Sequence, residues 1–62
     1  MNLPNRHVEM FVDDEGQHRF RLVADNYETI AQSEGYVRQS DARSTVTKYF
    51  PNWAIEYVEK ED

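Results

Sequence analysis

The chain has no cysteine, two glycines and two prolines, and only Lys48 and Lys60 are lysines among its 7 basic residues. Without cysteine there are no disulfides, no thiolate zinc sites and no cysteine nucleophile. Gly16 and Gly35 stand too far apart to form a glycine-rich phosphate cradle. No stretch approaches the about 20 apolar residues of a membrane span, and the opening MNLPNRH carries no signal-peptide core. The expectation is a soluble, cytoplasmic protein with no membrane association. Twelve acidic residues against 7 basic ones give a net charge of −5. Nonspecific nucleic-acid binding relies on counterion release by clustered Lys and Arg, so nucleic acid is a disfavoured partner. An acid-rich, lysine-poor surface would also suit a halophilic setting, where salt screens self-repulsion.

Sixty-two residues form one domain, 1–62, with 1–7 read as a flexible N-terminus and 59–62 as a solvated acidic tail. A chain of this size buries only about 60% of the surface its unfolded form exposes. Small domains compensate with disulfides, a metal or oligomerisation. His7 and His18 are too few for a histidine-based structural metal site unless carboxylates complete it, so no metal and no cofactor is assigned. Association into a homodimer is the route that remains.

Val8 to Val12 alternates as a strand and ends at Asp13, and Asp14, Glu15 and Gly16 fit a three-residue hairpin loop with Gly16 at positive φ. Setting Asp13 against Gln17 pairs Val12 with His18, Phe11 with Arg19, Met10 with Phe20, Glu9 with Arg21 and Val8 with Leu22. One face then gathers Val8, Met10, Phe20 and Leu22. The other sets up a Glu9–Arg21 ion pair and a Phe11–Arg19 cation–π contact. A second strand over about His18 to Ala24 leads through Asp25, Asn26 and Tyr27 to a third over about Glu28 to Ser33. With Asn26 and Tyr27 as the loop, Val23 meets Ile30, Leu22 meets Ala31 and Arg19 reaches Glu34; a loop at Asp25 and Asn26 keeps the same faces together. Ser40 is a suitable N-cap, and Ala42, Val46, Tyr49 and Phe50 make one apolar helical stripe that Pro51 ends. Trp53, Ile55 and Tyr57 alternate with Ala54, Glu56 and Val58 as a fourth strand. The fold class is α+β: an antiparallel meander, one helix and a C-terminal strand.

The stretch FVDDEGQHRFRLVADNYETIAQSEGY, from Phe11 to Tyr36, resembles the YegP-like family of small proteins of unknown function. Phe11 on an aromatic strand, the acidic turn from Asp13 to Gly16, the run Arg19 to Leu22, Ala24, Asn26, the run Ile30 to Ser33, and Tyr36 carry the likeness. Tyr27 departs from it, because the family has a glycine after the asparagine and a tyrosine at positive φ is strained. The resemblance implies a βββαβ unit, either repeated in tandem or dimeric, in which two units share a sheet and exchange C-terminal strands. It implies that Trp53, Ile55 and Tyr57 lie at the dimer interface. It implies no activity.

Catalytic residues are not assigned. His7 lies before the first strand and His18 at a strand edge, and Ser33, Ser40 and Ser44 lack a nucleophile-elbow setting. The acids Asp13, Asp14 and Glu15 lack the alternating oxygen ligands of a calcium loop and read as a solvated turn. The most function-like feature is Arg19 and Arg21 on one strand face, near Phe11 and within reach of Arg38. Such an arginine and aromatic surface can bind an anion or stack a nucleobase, unless Glu9, Glu34 and Gln32 neutralise it within the sheet. The aromatic run of Tyr49, Phe50, Trp53 and Tyr57 reads as core and interface. The leading expectation is a noncatalytic homodimeric module with an unknown partner. Alternatives are an anion or nucleic-acid binder and, less favoured, a small enzyme with a cleft lined by His18, Glu34 or Tyr36.

Overall fold

A computed structural model describes residues 6–58. The elements are β1 (His7–Val12), β2 (His18–Val23), β3 (Thr29–Gln32), α1 (Gln39–Tyr49) and β4 (Ala54–Tyr57). The sheet order is β3-β2-β1-β4. β1 pairs antiparallel with β2, and β2 antiparallel with β3. β4 lies parallel to β1, with Val8 beside Ile55 and Glu9 beside Glu56, so the sheet is mixed. Parallel neighbours need a crossover, and α1 supplies it by carrying the chain from one sheet edge to the other. The strand that the family resemblance assigns to a partner's sheet here closes the sheet of its own chain. The segment 59–62, read from sequence as an acidic tail, lies outside the described residues. So does most of the segment read as a flexible N-terminus. His7, placed in that segment, instead opens β1 and is buried.

The β1–β2 register is the one read from the sequence, from Val8 opposite Leu22 to Val12 opposite His18. It follows from the first turn, where Asp13 N–H donates to the Gln17 carbonyl at 2.9 Å, Gly16 N–H donates to the Asp13 carbonyl at 3.0 Å, and Gly16 takes φ 80°. The second hairpin departs from the two-residue loops considered for it. Ala24 N–H donates to the Glu28 carbonyl and Tyr27 N–H to the Ala24 carbonyl, both at 2.8 Å, so Asp25, Asn26 and Tyr27 form a three-residue loop. Tyr27 takes the positive φ, 68°, and the Asn26 side chain accepts from Glu28 N–H at 3.2 Å. The longer loop displaces the register locally. Leu22 meets Ala31 as expected, but Val23 meets Thr29 rather than Ile30 across a bulge.

The core lies between α1 and one sheet face, where Val8, Met10, Phe20, Ala42 and Val46 are buried. Leu22, Tyr36, Phe50, Trp53 and Ile55 pack around them. Ala42, Val46 and Phe50 recur every four residues and define the buried line of the helix. Tyr49 falls off that line and is 63% exposed, with the Lys48 ammonium 5.2 Å from its ring. The helix N-cap is Arg38 rather than Ser40, and it makes no side-chain cap bond. Ser40 therefore lies inside the first turn, next to Asp41, whose charge favours that end of the helix dipole. Among the described residues no helix is long and apolar enough to cross a membrane.

Candidate functional site

The sheet face turned away from α1 carries a charged ladder. Residues two apart on a strand share a face, which brings His7, Glu9 and Phe11 of β1 beside Arg19 and Arg21 of β2. The parallel pairing of β4 adds Glu56 next to Glu9. Arg21 Nε donates to Glu9 Oε1 at 2.6 Å, and the Arg21 guanidinium lies 4.7 Å from the Phe11 ring centre. Arg19 Nε donates to Asp13 Oδ2 at 2.5 Å and its Nη1 to the Ser33 carbonyl at 3.2 Å. His7 Nε2 lies 2.9 Å from Glu9 Oε2 and 4.0 Å from Glu56 Oε1. His7, Phe11 and Val23 are all buried on this face.

Electrostatics follow from these contacts. The hydrogen bond from His7 holds the Glu9 carboxyl below the ordinary glutamate range; burial opposes this, and Arg21 adds to it. Asp13 is also held low, first by the Gln17 backbone N–H, against a desolvation cost, and further by Arg19 and the Glu15 N–H. Asp13 Oδ1 accepts from Glu15 N–H at 2.8 Å and from Gln17 N–H at 3.0 Å. Its oxygens therefore serve the turn and the neighbouring arginine.

Of the ligand-binding residues expected from sequence, Arg19, Arg21 and Phe11 share one surface. Arg38 does not join them: it caps α1, and its guanidinium lies 3.9 Å from Asp41. The expected aromatic partner also changes, since Arg21 rather than Arg19 covers Phe11. Arg19 pairs with Asp13 of the turn rather than with Glu34. His18 lines a cleft of about 100 Å³ with Met10, Phe11, Val12, Gln39, Tyr57 and Val58. Glu34 and Tyr36 do not line it. Of the expected interface residues, Trp53 and Ile55 pack against the chain's own core, while Tyr57 is 51% exposed and its hydroxyl accepts from Arg43 Nη1 at 2.7 Å. Sequence reasoning missed the meeting of His7, Glu9 and Glu56. The alternation in the last strand places Glu56 on its polar face, but only the parallel β1–β4 pairing brings it to β1.

Residues 13–48, from the first turn through most of α1, match the family described as Domain of unknown function (DUF1508). The chain belongs to this YegP-like, DUF1508 family. It is similar to UPF0339 proteins of Neisseria meningitidis serogroup B and serogroup A. Each is 40% identical to it over 40 residues, which span 64% of this chain and 71% of theirs. No solved structure matches the chain. Within the DUF1508 match lie β2, β3, Arg19, Arg21 and Asp13; β1 and β4, with His7, Glu9 and Glu56, lie outside it.

Proposed function

We propose that this DUF1508 chain is a noncatalytic, cytoplasmic homodimeric module. The supporting observation is the placement of β4, a four-residue strand at the sheet edge that follows Pro51 and pairs in parallel with β1, with Trp53 and Ile55 packed on the core. An element of that kind can make the same pairing with the β1 of a second copy at little cost, because every contact is regained in the exchanged arrangement. The core adds weight: its buried set on the helix face is five side chains, two of them valines and one an alanine. A second copy would extend the burial around Trp53, Ile55 and Tyr57.

Anion or nucleobase binding through Arg19 and Arg21 is the weaker reading. Both guanidiniums already face carboxylates, and any ligand would have to compete with Asp13 and Glu9 for them. Sedimentation equilibrium and light scattering test the dimer, with a dimer expected through the micromolar range. A folded monomer that persists at high micromolar concentration overturns it. Mixing isotope-labelled and unlabelled chains then separates the two arrangements, since an exchanged strand gives interchain contacts between Val8 and Ile55.

A further inference from the structure

We propose that His7, Glu9 and Glu56 form a binding site for a divalent transition-metal ion, with Zn²⁺ as the representative ion. One ligand atom from each lies within 4.8 Å of the others. Metal–nitrogen and metal–oxygen bonds of about 2.0–2.2 Å place neighbouring ligand atoms about 3.0–3.5 Å apart. The His7 Nε2 to Glu9 Oε2 separation is 2.9 Å and that to Glu56 Oε1 is 4.0 Å, on either side of this range. Glu56 has a 65% exposed side chain, so a small rotation closes the longer distance. Solvent completes the coordination on that open side.

Two further observations point to a cation. Glu9 and Glu56 are direct register partners, and like charges opposite one another on a sheet repel. A positive charge between them removes that conflict. His7, only 7% exposed, has Nε2 2.9 Å from Glu9 and 4.0 Å from Glu56 and is the group that would hold the metal there. The ligating edge is also oriented. Arg21 holds Glu9 Oε1 at 2.6 Å and leaves Oε2 toward His7, the outer-shell arrangement that fixes a metal-bound carboxylate. One imidazole nitrogen and two carboxylate oxygens suit a borderline divalent ion better than calcium, which takes more oxygens. All three ligands fall outside residues 13–48, so the site is not inherited from the matched part of the family.

Binding requires neutral His7, so metal uptake releases the proton that imidazolium would hold. Calorimetric titration of the untagged chain with Zn²⁺, repeated in buffers of differing ionisation enthalpy, tests this. The expected result is one ion per chain at neutral pH. Glu56→Gln, on an exposed side chain that leaves the fold intact by circular dichroism, should weaken binding by about 10-fold or more. His18→Gln should leave it unchanged. Absence of binding tighter than about 1 mM, or binding that survives Glu56→Gln, overturns the proposal.

Discussion

Tyr27 and Gly16 occupy the same position in successive hairpins, at φ 68° and 80°. Both loops have three residues, and in both the third residue takes the left-handed conformation that lets the strands meet with their native twist. For a tyrosine that conformation costs about 1–2 kcal/mol, while glycine adopts it freely. Tyr27 is 67% exposed, and its ring contact is with His7 at 6.4 Å between centroids. Tyr27→Gly should therefore raise stability by about 0.5–1 kcal/mol once the extra chain entropy of glycine is counted. Urea denaturation reads this directly, and a lowered midpoint would show that the contact with His7 outweighs the strain.

Ala42 is fully buried between α1 and the sheet, in one cluster with Phe20 and Val46. A larger side chain there has to push the helix off Phe20 or take an unfavourable rotamer. Ala42→Leu should cost about 1–3 kcal/mol, while Ser44→Leu on the exposed side of the same helix should change stability by less than about 0.5 kcal/mol. Equal effects at the two positions would mean that the helix does not pack as described.

The first hairpin was legible because the period of two and the turn glycine agree, and together they fix the register from Val8 to Val12. The second was legible in its faces but not in its loop. Asparagine before an unsuitable residue offers two short loops, and the chain adopts neither: a three-residue loop puts the strain at Tyr27 and shifts the register between Leu22 and Val23. The Glu9–Arg21 pair came from register alone. Arg19 was misassigned because its partner, Asp13, lies in the turn, where pairing rules do not reach. Likewise the cluster of His7, Glu9 and Glu56 needs a parallel pairing between strands 40 or more residues apart, and local pattern carries no record of it.

Glu9 makes the stability of the sheet pH-dependent. Its folded pKa lies below the ordinary value of 4.5, so its contribution is present above that value and is lost as pH falls through the lowered folded value. Acidification below about pH 4.5 should therefore weaken the domain in step with protonation of Glu9. Glu9→Gln should flatten that part of the curve and lower stability at neutral pH by about 1 kcal/mol, the usual worth of a partly exposed pair with good geometry. Thermal unfolding of both proteins between pH 3 and pH 7 gives the comparison. An unchanged acid limb would assign the dependence to other carboxylates.

Asp13 combines two roles that substitution separates. Its Oδ1 accepts the Glu15 and Gln17 N–H groups, and its Oδ2 accepts Arg19 Nε. Asp13→Asn retains an acceptor oxygen for the turn but removes the charge facing Arg19; Asp13→Ala removes both. If the turn bonds set the β1–β2 register, Asp13→Ala should destabilise clearly more than Asp13→Asn, and amide exchange in β1 and β2 should quicken mainly in the alanine variant. Equal losses would place the weight on the ion pair. Asp13→Asn also leaves Arg19 without its carboxylate, so a titration of this variant with short single-stranded RNA is the most permissive test of the anion-binding reading. Unmoved β2 amide signals in that titration would end it.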